Sequence, residues 1–526
     1  MFFRCRSAFV RERSVVDLLM PNFLALLRHL PHAEVHGASD VMVLDVASDS
    51  REVQPGWLFV AIRGGQYDGH DAIASAIDRG ATVVIGDLPL DEVRFKGPQL
   101  ATYVRVEDTR LALARIVHAI LDEPSKGLRV YGVTGTNGKT TCATILEQLF
   151  ASVGLQAGFI GTTGIRYAGK SIDATHTTPH ARALCDFFTE MKSNRVDVVS
   201  MEVSSHALDQ YRVGGIDFAG AIFTNLTHDH LDYHETMDRY SDAKKKLFDS
   251  LSPSAVAVVN GDDAYAAHMT RDCVARRIIR VGEDESNDVQ ITDVEIGAHG
   301  TRFTLVVPGK HVRDGGQELY ISTPLIGRFN VTNAALCAVM AIQEGIKAAD
   351  VKAGMQVVRG PAGRMERYGL TSGAVAVVDY AHTPDALQKA LEVVREILPD
   401  GGRLHVVFGC GGDRDAGKRP VMGGIAARLA DAVWVTSDNP RTENPNTIID
   451  GIRVGIEQEL KGKKAEGIHI IPDRRKAISE ALDHAQAHDI VLIAGKGHET
   501  VQVVGAERRH HSDVEEVARW NQAKRG

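Results

Sequence analysis

Residues 131–141 read Tyr131-Gly-Val-Thr-Gly-Thr-Asn-Gly-Lys-Thr-Thr141, and the fold expected for the middle of the chain follows from them. Upstream, Leu128-Arg-Val130 leads into Tyr131 and Val133, a β-branched and aromatic run that predicts a buried strand. Downstream, Ile145, Leu146, Leu149 and Phe150 recur at helical spacing. Strand, glycine-rich turn, helix is the setting a phosphate-binding loop requires. Gly135 and Gly138 let backbone N–H groups turn toward phosphate oxygens with no Cβ in the way. The helix N-terminus adds partial positive charge, Lys139 a full one, and the Thr140 hydroxyl suits Mg²⁺. The usual spacing would put its first glycine at Val133, whereas the glycines fall at Gly132 and Gly135. A plain glycine turn would explain a lone Gly-x-Gly. The attached Lys-Thr-Thr and the correct flanks favour nucleotide phosphate, with Gly135, Thr136, Asn137, Gly138, Lys139, Thr140 and Thr141 as its contacts.

At 526 residues the chain exceeds a single core, and length suggests about three domains. Hydrophobic residues make up 44% and charged ones 24%, an ordinary globular balance. A net charge of -8 argues against a nucleic-acid partner, since phosphate backbones select basic faces. The six cysteines include no C-x-x-C pair, which suits buried thiols in a reducing cytoplasm better than disulfides or zinc. No apolar run approaches the roughly 20 residues that span a bilayer, so no membrane insertion is expected. The basic start Met1–Arg13 has no long apolar core, which argues against a targeting signal. Residues 1–19 are expected to be either a disordered extension or upstream sequence before a start at Met20, with a helix starting at Pro21-Asn-Phe-Leu-Ala-Leu-Leu27.

Three regions emerge along the chain, with boundaries at 1–124, 125–363 and 364–526. The first alternates short apolar runs such as Trp57–Ala61 and Ala81–Ile85 with helices at His70–Arg79 and Thr109–Leu121, a small α/β unit. In the second, Val196–Val203 and Ala219–Asn225 read as buried parallel strands, and 289–324 as antiparallel structure beside the main sheet. In the third, Ala374–Asp379, Arg403–Phe408, Ala432–Thr436 and Asp489–Ala494 are four strands separated by helical patterns, a second doubly wound parallel sheet.

Several strand ends carry chemistry. Glu202 closes a buried strand within Met201-Glu-Val-Ser-Ser-His206, where a carboxylate either holds Mg²⁺ or pairs with a nearby cation. Thr224-Asn-Leu-Thr-His-Asp-His-Leu-Asp-Tyr-His234 crowds three histidines and two aspartates, a spacing suited to a divalent ion, though His and Asp also serve as turn residues. The lysines of Tyr240–Phe248 read as a solvated helical face. In the third region Phe408–Asp415, Ser437–Glu443 and Ala494–Glu499 end three strands. They converge Arg414, Asp438, Arg441 and Glu499 on one crevice suited to a zwitterion, unless the four merely pair with one another.

Together the motifs T-G-T-N-G-K-T-T, M-E-V-S-S-H-x-L-x-Q-x-R, T-N-x-x-x-D-H-L-D-Y-H, D-Y-A-H-T-P and G-C-G-G-D-R-D-x-x-K-R-P resemble those of the Mur ligases, ATP-dependent enzymes that build the peptidoglycan stem peptide. The resemblance runs from Ser48 to about Asp513 and is strongest to the branch that adds diaminopimelate. It implies an α/β chain of three domains: a small UDP-binding one, a central P-loop ATPase-like parallel sheet and a C-terminal Rossmann-like domain. By motif, Ser50 and Gln66 would meet the uridine diphosphate, and Thr177, Thr178, Ser204, Gln210 and Arg212 the sugar-peptide. Thr140, Glu202 and His230 would sit at magnesium, and Lys244 matches a lysine that the family carbamylates into a metal-binding carboxylate. Asn330, Asn333, Arg364, Asp379 and His382 would line the nucleotide. Arg414, Asp438, Asn439, Pro440, Arg441, Gly495 and Glu499 would contact diaminopimelate.

The implied substrates are ATP, UDP-N-acetylmuramoyl-L-alanyl-D-glutamate and meso-2,6-diaminopimelate, with Mg²⁺ as cofactor, in a cytoplasmic monomer. Lys139, Glu202, His230 and Lys244 would be catalytic. The alternatives are a lysine-adding relative and a folylpolyglutamate synthase, which lacks the N-terminal module and the Asp438–Arg441 loop. A non-catalytic nucleotide switch is a third, and it would not need the charged crevice.

Overall fold

The structure, a computed structural model, describes residues 22–65, 67–93, 101–309, 316–461 and 466–525. The expected extension 1–19, Cys5 and the candidate Gln66 lie outside these described residues.

The chain divides into two compact units. One comprises residues up to Lys126 together with Pro179–Glu190 and Gln210–Ile216. Its five-stranded sheet is centred on Val83–Gly86, every residue of which is buried, with Leu58–Val60 and Thr102–Arg105 parallel on either side. The predicted helix Thr109–Leu121 forms over Thr109–Ile120, capped by the Asp108 carboxylate, which accepts the N–H groups of Arg110 (2.8 Å) and Leu111 (2.9 Å). The first expected helix is cut to one turn, Phe23–Leu26, followed by the 3₁₀ turn Leu27–His29. Pro31 accounts for this, because the residue before a proline is driven out of the helical region, and Leu30 lies at φ -120°.

The other unit holds two sheets. The larger has eleven strands, with a parallel core in the order Ala157–Gly161, Val198–Glu202, Arg129–Thr134, Phe218–Phe223, Val256–Asn260 and Arg277–Gly282. The antiparallel structure expected beside this sheet over 289–324 is found as its continuation. Val281 pairs with Val289 in parallel, and two antiparallel steps through Gly300–Val307 and Gln317–Thr323 complete the edge. The helices Lys139–Ser152 and Arg328–Gln343 pack over the core; the second is apolar nearly all round and accordingly buried nearly all round. Strand Arg129–Thr134 sits between neighbours reached in opposite directions. Its carboxyl end is therefore a switch point, the place where open α/β sheets bind ligands.

The second sheet contains the four predicted strands, all parallel, in the order Val375–Asp379, Ile490–Ala494, Leu404–Phe408, Ala432–Val435. Two edge strands were not foreseen: Glu366–Gly369, antiparallel, and Ile468–Ile470, parallel. Both are short and carry polar residues, so their β signal is weak. A hairpin, Val501–Val504 with Glu507–His510, was also missed. Among the described residues no helix is long and apolar enough to cross a membrane.

Candidate active site

The glycine loop after Arg129–Thr134 is laced to the neighbouring strand end. Thr136 N–H donates to Asn225 O (2.8 Å) and Asn137 N–H to Asn225 Oδ1 (3.0 Å), while Thr224 Oγ1 donates to Asn137 O (2.5 Å). This closeness explains the glycines. At Gly135 (φ 149°) a Cβ would lie 1.9 Å from Thr224 Oγ1, and at Gly138 (φ 85°) 2.6 Å from Asn333 Oδ1. With Thr136 and Asn137 committed, the N–H groups left for an anion are those opening the helix Lys139–Ser152, which have no intrahelical acceptor.

Two lysines meet at this loop. Lys139 Nζ donates to Gly135 O (2.9 Å) and Thr136 O (2.8 Å), and Lys244 Nζ to the same Gly135 O (2.8 Å). Lys244 is 1% exposed, and its ammonium lies 4.5 Å from the Tyr240 ring centre. Burial, and then the neighbouring Lys139, pull the Lys244 pKa well below its ordinary value, with Asp229 opposing. Burial lowers Lys139 as well, against the carboxylates of Glu202 and Asp229. The expectation that the lysines of this helix form a solvated face is therefore wrong for Lys244 and Lys245, both buried.

Glu202 is 1% exposed. Its Oε2 accepts the Thr140 hydroxyl (2.8 Å) and its Oε1 the Thr162 N–H (2.7 Å); burial raises its pKa against the field of Lys139. Gly161 makes room, since a Cβ there would come 2.3 Å from Glu202 Oε1. A hydroxyl beside a carboxylate is the hard-oxygen set Mg²⁺ takes, so Thr140 and Glu202 fit that ion. Lys244 as a free amine donates hydrogen bonds and does not. His230, left-handed at φ 53°, stands on a half-exposed loop against His206, with ring centres 5.0 Å apart. Within 228–234, His234 is buried against Ser205 Oγ (3.0 Å) with its ring 5.5 Å from that of His206, and Tyr233 OH donates to Asp209 (2.9 Å). The short helix Leu231–His234 turns successive side chains about 100° apart. Among the described residues no three His, Cys, Asp or Glu side chains are gathered as a metal would need.

The remaining nucleotide candidates occupy this same unit. Asn330 and Asn333 lie buried behind the loop, Asn330 donating to Ile326 O (2.8 Å) and Asn333 to Asn330 Oδ1 (3.1 Å). Asp379 ends its strand with one oxygen on Met365 N (2.8 Å) and the other on Ala381 N (2.8 Å). Exposed Arg364 covers the Tyr380 ring at 5.1 Å, and its charge lowers the pKa of Lys139. His382 bonds Tyr380 O (2.9 Å).

The sugar-peptide candidates divide between the units. Thr177, Thr178 and Ser204 surround the end of the Glu202 strand, with Thr178 Oγ1 donating to Glu202 O (2.8 Å) and accepting Ser204 N–H (3.1 Å). Ser50, Gln210 and Arg212 belong to the first unit, where Arg212 Nη2 donates to Gln210 Oε1 (2.8 Å).

Beyond the second sheet's strand ends lies a crevice of about 670 Å³ lined by Arg414, Asp438, Asn439, Arg441, Gly495 and Glu499, the convergence expected from sequence. Pro440 does not line it. Pro440 turns to a separate cavity of about 460 Å³, because Arg441 adopts the left-handed region (φ 51°) and reverses the chain there. Arg441 Nη1 donates to Gly412 O (2.6 Å), and the Gly411-Gly412 pair makes this approach possible: a Cβ at Gly411 would sit 2.9 Å from Nη1, one at Gly412 2.0 Å from Pro440 O. Asp438 Oδ1 is buried and accepts no hydrogen bond. Residues that sequence reasoning missed also face the crevice, among them Tyr380 and Lys418, whose ammonium donates to His382 O (2.8 Å). A lysine in the Asp-Arg-Asp-x-x-Lys run after the glycines was the available signal.

Comparison with known proteins accords with this geometry. Family descriptions match three stretches: "Mur ligase family, catalytic domain" at 45–120, "Mur ligase middle domain" at 133–341 and "Mur ligase, glutamate ligase domain" at 363–497. A Chromobacterium violaceum protein named UDP-N-acetylmuramoyl-L-alanyl-D-glutamate--2,6-diaminopimelate ligase is 41% identical over 472 residues, covering 89% of this chain and 92% of its own length. A Geobacter metallireducens protein of the same name is 40% identical over 510 residues, covering 94% and 97%. A solved structure of an enzyme so named superposes with TM-score 0.74 at 33% identity, over 95% of this chain and 99% of that one. A Mycobacterium tuberculosis folylpolyglutamate synthase complexed with ADP shares the fold at TM-score 0.53 and 20% identity, covering 74% of this chain and 91% of that one.

Proposed function

The chain belongs to the Mur ligase family, and on that footing we propose that it adds meso-2,6-diaminopimelate to UDP-N-acetylmuramoyl-L-alanyl-D-glutamate at the expense of ATP, in the cytoplasm. The observation that carries this reading is the charge pattern of the crevice. Arg414 and Arg441 face Asp438 and Glu499, two cations for a carboxylate and two anions for an ammonium, in the unit that also holds the phosphate loop.

Amide formation needs an activated carboxylate, because hydroxide leaves poorly at neutral pH. The γ-phosphoryl group of ATP passes to the D-glutamate γ-carboxylate, giving an acyl phosphate and ADP. The diaminopimelate amine then attacks the acyl carbon, loses its proton, and inorganic phosphate departs. Lys139 and the opening N–H groups of its helix hold the phosphates, and positioning with charge stabilisation supplies the acceleration. Thr140 and Glu202 would hold Mg²⁺, which supplies charge neutralisation at the phosphates. Lys244 is the candidate for carbamylation. Two buried ammonium groups sharing one carbonyl favour loss of a proton from Lys244, and the neutral amine then adds to CO₂ with release of a second proton to give a carbamate anion.

Mass spectrometry of the product from UDP-dipeptide, ATP and either diaminopimelate or lysine tests the assignment. Lysine lacks the distal carboxylate and leaves the Arg441 guanidinium, bonded to Gly412 O, without that anion. That is expected to cost about 2–5 kcal/mol, tens- to thousands-fold in kcat/KM, and Arg441→Ala is expected to remove most of the difference. Equal kcat/KM for the two amino acids would favour the lysine-adding alternative.

A further inference from the structure

Lys496 is absent from the crevice lining, yet it organises the side chains that form one arm of it. Its side chain is 0% exposed, and its ammonium donates to Asn439 Oδ1 (3.1 Å), Glu499 Oε2 (3.1 Å) and Val501 O (2.8 Å), with Asp438 Oδ1 at 3.6 Å. Val503 N–H donates to the same Asn439 Oδ1 (2.9 Å). With two donors on that oxygen, the Asn439 amide has one orientation only, and its NH₂ group meets Glu499 Oε2 (3.1 Å). Glu499 is thereby held by one oxygen, leaving Oε1 for a ligand.

The charges agree. The other buried cation nearby, Arg474, is matched by Asp513 through contacts of 2.8 and 2.6 Å. Lys496 is the buried ammonium in contact with both Asp438 and Glu499, and two carboxylates held by one ammonium keep this arm anionic in character, across the crevice lining from Arg414 and Arg441. The hairpin that follows ties the arrangement down: Gln502 Nε2 donates to Asp438 O (2.8 Å), Arg441 N–H to Val503 O (3.0 Å) and Gly505 N–H to Arg441 O (2.6 Å).

We propose that Lys496, with Gln502 and Val503 of the hairpin, is a positioning residue that builds the ammonium-recognising arm of the amino-acid pocket. It presets Asn439 and Glu499 for the distal ammonium, while its own charge lies 3.6 Å from the buried Asp438 Oδ1. The inference rests on the substrate reading above and deepens it.

The test compares meso-diaminopimelate with 2-aminopimelate, which keeps the distal carboxylate and lacks only the distal ammonium. In the full-length enzyme, Lys496→Met is expected to raise the KM for diaminopimelate at least about tenfold and to narrow its advantage over 2-aminopimelate by a similar factor. The KM values for ATP and the UDP-dipeptide are expected to stay unchanged. Gln502→Leu leaves the buried lysine in place and is expected to narrow the same ratio less; it decides the matter if Lys496→Met does not fold. A uniform loss with both acids, or an unchanged ratio in a wild type that prefers diaminopimelate, would overturn the positioning role alone. A wild type that adds neither acid would overturn the substrate reading, and this role with it.

Discussion

At the scale of single residues, burial rather than motif membership separates the groups with altered chemistry. Lys244 stands in a helix whose sequence offers three consecutive lysines, yet it alone reaches Gly135 O. As the carbamylation candidate, Lys244→Ala is expected to lose most ligase activity and to regain part of it when formate or acetate is added. Full activity without an additive would dismiss the carbamate. His118 makes the contrasting case. It is 2% exposed, neither ring nitrogen has a hydrogen-bond partner among the described residues, and burial depresses its pKa to about 4. A base with a lowered folded-state pKa binds its proton more readily when unfolded. Stability is therefore fully present above about 6.5 and declines as pH falls toward 4, by about 2 kcal/mol at pH 5. His118→Leu is expected to flatten that decline in denaturant melts between pH 7.5 and 5. An unchanged slope would mean the imidazole is not the titrating group.

At the scale of elements, loops at strand ends carry the candidate chemistry, and their glycines are dictated by what lies opposite. Gly135→Ala would drive a Cβ to 1.9 Å from Thr224 Oγ1 and push apart the two strand ends that the loop joins. It is expected to cost about 1–3 kcal/mol and to weaken nucleotide binding, read by melting and calorimetry. Gly369→Ala, at a strand end with nothing within 4 Å, is the control expected to change neither. The hairpin Val501–His510 shows why some elements were illegible. Its strands are part-exposed and its value lies in backbone contacts with Asp438–Arg441, some sixty residues earlier, which no local periodicity records.

For the whole molecule, the division of labour among ligands is the testable feature. Ser50, Gln210 and Arg212 belong to the first unit and Lys139 to the second. Lys139→Ala is expected to reduce ATP turnover at least ~10²-fold while sparing affinity for the UDP-dipeptide. Calorimetry with parallel loss of both affinities would argue that the two ligands are not held by separate parts of the chain.

What the sequence determined by itself was local and periodic: the strand–loop–helix around Gly135–Thr140, the buried strands ending at Glu202 and Phe223, the four parallel strands of the second sheet and the charged loops after Phe408, Val435 and Ala494. These depend on apolar spacing and turn chemistry within a dozen residues, which a single chain displays directly. Only the tertiary structure decided that Lys139 and Lys244 share one carbonyl, that Pro440 turns away from the crevice and that Lys496 fixes Asn439. It also packed His230 and His234 around the ring of His206, a contact that spacing within 228–234 does not record. Each outcome turns on desolvation or on a contact between residues far apart in the chain. A lysine in water and a lysine beneath a phosphate loop are written identically, and they differ only in what surrounds them.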